Sequence, residues 1–396
     1  MSRNEPLYPY LERIQWLALI AGVAGLALCA VGAFLDLGQF LQSYLFAYLF
    51  WLGLALGCMA VALLHQLVGG AWGFAIRRLL EAAAMTLPLM LILFAPIALD
   101  LILGPSHLYE WAHPEVVEQD AVLRAKSAYL NEPFFLARAA IYFAIWIVLA
   151  YLLNRWSREQ DRTTDPTPGD RMRLLARYGL VAYVLTMTFA AIDWVMSLEP
   201  HWYSSIFGVL FVAGQAVSGL AFAIAATGWL ARREPLARVV TPAILNDLGN
   251  LLLAFVMFWT YIHLSQYLII WSGNLPEEVT WYLHRTQGGW VWVIVFVLAF
   301  LFVVPFFLLL SRRTKRTRAR LASLAALIVA VHLIELFWRV VPTFRAGLAI
   351  GWLDLAAPIG IGGLWVAALA WLLKGRPIVP LHDPHAPRLE EALEHG

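Results

Sequence analysis

An all-α, polytopic membrane fold of about ten transmembrane helices is what this sequence predicts, and three observations predict it. Of 396 residues, 61% are hydrophobic and 14% charged, against about 25% charged in an ordinary soluble domain; the mean hydropathy is +0.71. Ten stretches reach the roughly 20 apolar residues that a bilayer crossing needs. The basic residues concentrate in alternate loops, as the positive-inside bias requires.

The stretches run approximately 15–35, 44–67, 80–103, 134–153, 174–196, 206–230, 244–271, 289–310, 320–341 and 353–373. Continuous apolar runs of this length lack the alternation of barrel strands, and a helix satisfies its own backbone in hydrocarbon. The first run is too long for a signal peptide, has no A-x-A-like site at a sensible position and is followed at once by another span, so it reads as a retained helix. With the N-terminus in the cytoplasm, 22 of the 28 Lys and Arg residues fall on that side, among them the dense "SRRTKRTRAR" at 311–320. The other six are Arg124, Lys126, Arg138, Arg285, Arg339 and Arg345. The expected arrangement is therefore a single membrane domain over 1–373, both termini cytoplasmic, and a loosely ordered tail at 374–396. Two long outer loops, 104–133 and 272–288, mix aromatic with polar residues and suit short helices lying on the membrane surface.

Redox chemistry finds no motif in the chain. Cys29 and Cys58 lie inside apolar runs, with no CxxC or CxxCH to hold an iron–sulfur cluster or covalent haem. A bis-histidine haem needs two rings at matching depth. His65 falls at the inner edge, His332 at the centre and His263 in the outer half, so no cofactor is expected here.

Polar residues inside the spans carry the functional signal. In the ninth stretch, "HLIELFWR" sets His332, Glu335 and Arg339 at i, i+3 and i+7, on one face near the bilayer centre. Glu before Arg at i+4 is the favoured order for an ion pair, and histidine changes charge near neutral pH. In the seventh, Asp247, Asn250, Phe258, Tyr261 and Ser265 form a stripe within about 80° at 100° per residue, with His263 and Gln266 facing elsewhere. In the fifth, Tyr183, Thr186 and Asp193 share a face. The set reads as two partial proton wires, one entering from inside and one leaving outside. The plainer reading is interhelical hydrogen bonding and a structural ion pair. Asp193 with His201 has the composition of a quinone head-group site, which is the minority reading.

Two outer segments, "DWVMSLEPHWYSSIFG" (193–208) and "SQYLIIWSGNLPEEVTWYLHR" (265–285), are not explained by hydrophobicity. Together with the ten-helix layout they resemble the F subunit of bacterial alternative complex III, a quinol:cytochrome c oxidoreductase, over nearly the whole chain. The resemblance implies an NrfD/PsrC-like fold of two four-helix bundles (about 44–196 and 206–341) plus two flanking helices, in the bacterial cytoplasmic membrane. It implies a subunit without its own redox centre that scaffolds the complex and is a candidate proton conductor. The implied partners are a sister NrfD-like quinol-binding membrane subunit, an iron–sulfur subunit and cytochrome c subunits, the last two carrying the clusters and haem c. Nothing marks a nucleic-acid partner. The alternatives are an independent proton-coupled secondary transporter, for which Pro88, Pro96 and Pro305 make no matched pair of helix interruptions, and a purely structural anchor.

Overall fold

The computed structural model describes residues 7–375 and 377–380, so most of the tail expected at 374–396 lies outside the described residues. Those residues form helices, turns and loops, with no strand among them. Among the described residues, ten helices are long and apolar enough to cross a bilayer: α1 (Tyr8–Leu35), α2 (Leu37–Val68), α3 (Ala71–Ile102), α4 (Glu132–Gln160), α5 (Thr167–Leu198), α6 (Phe207–Leu230), α7 (Pro242–Gly273), α8 (Trp290–Leu310), α9 (Arg318–Thr343) and α10 (Leu353–Lys374). The chain is a multi-pass membrane protein. Most helices outrun their apolar stretch, because a helix continues through polar residues at the interface. In α4 it passes Arg155 and Arg158 to end at Gln160.

Local chemistry sets several of the ends. Asp36, Asn131 and Thr241 cap α2, α4 and α7, each accepting a hydrogen bond from the backbone N–H three residues on. Asn274, at φ 47°, ends α7 in the left-handed conformation that asparagine tolerates. Two spans are irregular near mid-length. α3 loosens around Thr86 and Phe94, just before Pro88 and Pro96, which supply no N–H and crowd the preceding turn. α8 widens to a π-turn over Leu298–Val303, just before Pro305.

Helices α2 to α5 pack with one another, with α2 against α3 and α5, and α4 against α3 and α5. Helices α6 to α9 form a second group, α6 lying against α7 and α9, and α8 against the same two. α6 also packs on α2 and α5, and α9 on α2, which joins the groups. α2 is the central helix, with 89% of its apolar window buried. Outside the groups, α1 runs along α10, which leans on α2. That pairing depends on missing side chains: a Cβ at Gly25 would stand 2.6 Å from the Gly360 backbone, and one at Gly363 would stand 2.3 Å from Gly22. Small residues permit backbone contact where lipid offers no hydrophobic drive between helices.

One end of the bundle carries the arginine-rich loops. The other carries Pro114–Gln119, Ala121–Lys126 and Pro276–His284, short helices within the long loops.

Candidate functional site

Helix α9 enters its group between α6, α7 and α2, and the face it buries bears His332, Glu335 and Arg339. Gly214 of α6 leaves room for the imidazole, since a Cβ there would approach His332 Cε1 to 2.8 Å. Glu335 is 1% exposed and its two oxygens are divided. Oε2 meets His332 Nδ1 at 2.7 Å. Oε1 accepts from Arg339 Nη2 and lies 3.2 Å from His263 Nε2. The Arg339 guanidinium also sits over the Phe211 ring, 4.6 Å from its centroid. A buried carboxylate of this kind needs a paired cation and several donors, and it has both.

His263 is the fourth member, supplied by α7. Spacing alone puts His263 off the α7 stripe and at a different depth from His332. In the structure both rings reach one carboxylate. Counted from the centres of their spans, His263 and Glu335 each lie about five residues toward the loop-rich end, and His332 is one turn nearer the middle. His263 Nδ1 is 2.9 Å from the Trp259 carbonyl, which can only accept, so Nδ1 carries a proton. Nε2 then has two possible partners: neutral, it accepts from Arg339 Nη2 at 2.7 Å; protonated, it donates to Glu335. One proton thus decides which neighbour holds the ring. The cluster can exchange protons among two imidazoles and a carboxylate, with Arg339 as a fixed charge.

The α7 stripe does form one face, and that face is turned outward, away from the cluster. Asp247 and Asn250 are exposed, Phe258 is 42% and Tyr261 65% exposed, and Ser265 is half-buried. Asn250 accepts from Lys315 Nζ at 2.6 Å, a contact made by the basic loop. Gln266, off the stripe like His263, is the residue turned inward.

The α5 face is buried and each group on it has a partner. Tyr183 donates to Gln215 of α6 at 2.6 Å, and Thr186 receives the Trp146 indole N–H at 2.8 Å. Asp193 is wholly buried and held by both sides of the Arg138 guanidinium (2.8 and 2.9 Å) and by Tyr142 OH (2.7 Å). Arg138 in turn lies over the Tyr129 and Phe134 rings. Asp193 and His201 are not brought together as a head-group pair. His201 is exposed and bonds Asp120 at 2.6 Å. The Asp120 carboxyl is held below its usual range, first by the Leu123 N–H and then by His201. Among the described residues, no group of three or more His, Cys, Asp and Glu side chains is arranged to hold a metal ion.

Just beyond Arg339, the α5–α6 and α7–α8 connections lock together. Arg285 Nη1 donates to Glu199 at 2.6 Å, and its other nitrogens reach the Arg339 carbonyl and Thr343. Thr343 and His284 also bond Glu199, at 2.9 and 3.2 Å. Trp202 stacks on Trp281, centroids 5.1 Å apart, and donates to the Glu278 carbonyl. Burial pulls the Arg285 guanidinium down to about 10, with Glu199 opposing the shift. Comparison with known proteins finds no matching family model and no matching curated protein.

Arg138, Glu199, His263 and Arg285 are the residues that spacing missed. Arg138 left a signal, since an arginine inside a span demands a carboxylate at its own depth. For His263 the signal was the inward run Leu248, Leu252, Val256, Trp259 and Gln266, which defines the other face of α7.

Proposed function

We propose that this protein is a membrane subunit of a quinol:electron-acceptor oxidoreductase of the cytochrome c type, without a redox centre of its own, that scaffolds the complex and moves protons through the α6–α9 group. One observation carries the reading. The two segments that resemble the F subunit, 193–208 and 265–285, clasp each other through Trp202–Trp281 and Glu199–Arg285, directly beyond the buried His332–Glu335–Arg339–His263 cluster. A rigid platform at the loop-rich end suits the docking of iron–sulfur and cytochrome subunits. An ionisable cluster within a span suits proton transfer. The arginine-rich end then faces the cytoplasm of a bacterial cell, by the positive-inside bias. The outward exposure of the α7 stripe, from Asp247 to Tyr261, suits contact with a sister quinol-binding membrane subunit better than conduction within this chain.

Full pairing of Asp193 and Glu335 supports the second reading, a structural anchor with no ion path. A transporter is less well supported, because the irregular turns fall in α3, the second helix of its group, and α8, the third of its own, and not in corresponding positions.

Gentle purification with identification of the accompanying chains tests the assembly. An iron–sulfur subunit, cytochrome c subunits and a second polytopic subunit are expected; a lone chain with solute-uptake activity would overturn the reading. In that complex Glu335→Gln lowers protons moved per electron and leaves quinol oxidation largely intact. Unchanged proton movement selects the anchor.

A further inference from the structure

A lateral groove of about 490 Å³ opens between α6, α9, α10 and the start of α1 at the arginine-rich end. Its walls are Phe222 and Trp229 of α6 and Leu369 and Leu373 of α10; beyond Arg318, its α9 side presents the small residues Ala319, Ala322, Ser323 and Ala326. From Arg318 to Ala326, and from Phe222 to Leu230, the lining covers eight residue steps, or about 12 Å of helix. That is most of one leaflet's half of a hydrocarbon core about 30 Å thick. Arg232 and Arg318 stand at the mouth. Arg318 is positioned by donating through Nη1 to the Ala231 carbonyl at 2.5 Å, and among the described residues no carboxylate pairs with either arginine.

We propose that this groove binds an anionic phospholipid, its phosphate between Arg232 and Arg318 and an acyl chain along the α9 alanines. Three features select that occupant. The depth is that of one leaflet, whereas a partner's transmembrane helix needs a groove crossing the whole core. The mouth is doubly cationic at the level where head groups lie, which favours an anionic head group over a zwitterionic one. The walls are apolar, which suits an acyl chain and not the acidic sequence "EEALEH" near the C-terminus. The site is independent of the role proposed above, since it shares no residue with the Glu335 cluster.

The full chain, reconstituted in equimolar phosphatidylcholine and phosphatidylglycerol and released for native mass spectrometry, provides the test. Phosphatidylglycerol is expected to stay bound in preference to phosphatidylcholine. The double substitution Arg232→Gln with Arg318→Gln should weaken its retention about 30-fold, from two surface cations acting on one phosphate. Ala326→Leu, which fills the groove without altering charge, should lower retention of the lipid while the helical circular dichroism is unchanged. Both changes lie on exposed positions, and either alone suffices if the other variant is lost in expression. Equal retention of the two lipids, retention insensitive to both variants, a retained quinone, a dimer abolished by Ala326→Leu, or a groove that binds lipid only after residues 381–396 are removed would each overturn the proposal.

Discussion

Replacing Glu335 by Gln keeps the side chain's shape and removes its charge. Arg339, 2% exposed, is then a buried cation without a counter-ion. Breaking a buried pair from one side typically costs about 3–5 kcal/mol. The Phe211 face at 4.6 Å and the neutral His263 Nε2 hold Arg339 in parent and variant alike, which keeps the loss at the lower end of that range. The expectation for Glu335→Gln is a loss of about 3 kcal/mol, with a similar loss for Arg339→Gln. The double variant buries no charge and should be less destabilised than the sum of the singles, by about 2 kcal/mol. Equilibrium unfolding by dodecyl sulfate titration in mixed micelles, followed by tryptophan fluorescence, reads all three. A Glu335→Gln variant within about 0.5 kcal/mol of the parent would falsify the reasoning, for it would mean that the carboxyl is already protonated and Arg339 is balanced elsewhere.

The other expectations rest on equally specific contacts. Asp193→Asn should destabilise the α4–α5 pair by about 3 kcal/mol, and adding Arg138→Leu should recover much of it; additive losses would show that the pair contributes no coupling. Gly360→Val forces α10 away from α1 and should cost about 1–3 kcal/mol, whereas Gly375→Ala, whose nearest neighbour would be 3.6 Å away, should be neutral in the same titration. Asp120 has a depressed folded pKa, so its contribution is present above the ordinary aspartate value of about 4 and fades only as pH falls through the lower folded value. Hydrogen exchange at the Val122 and Leu123 amides should therefore stay slow at pH 4, and accelerate there in Asp120→Asn. His263→Ala should leave Arg339 tied to Glu335 and cost less stability than Glu335→Gln in the same titration, since the ion pair survives; an equal loss would show that the imidazole, not the ion pair, holds α7 to α9.

The ten spans and the His332–Glu335–Arg339 face were legible because both depend on spacing along a single helix. Apolar length fixes a crossing, and 3.6 residues per turn fixes which side chains share a face. The direction in which a face points was not legible. Lipid is as apolar as a protein core, so Leu253 or Phe258 on α7 gains little by turning either way and gives no bearing. The usual assumption that polar faces turn inward holds for the α5 face, and it misleads for α7. There Asp247 sits within the first turns, close to the head groups, where an outward carboxylate is tolerated, and Asn250 is occupied by Lys315. Partners on other helices, such as His263 for Glu335 or Glu199 for Arg285, depend on crossing geometry that no single span encodes.

The glycine seam between α1 and α10 also has a consequence in time. Gly22 and Gly25 lie in α1, and their contacts, Gly363 and Gly360, are synthesised about 340 residues later. At 5–20 residues per second that interval is roughly 20 s to a minute. Until then the face of α1 that meets α10 is uncovered, and that seam closes only when α10 arrives. A ribosome that stalls anywhere before residue 353 therefore leaves the first helix as an open seam, available to whatever small-residue helix a quality-control protease or insertase presents.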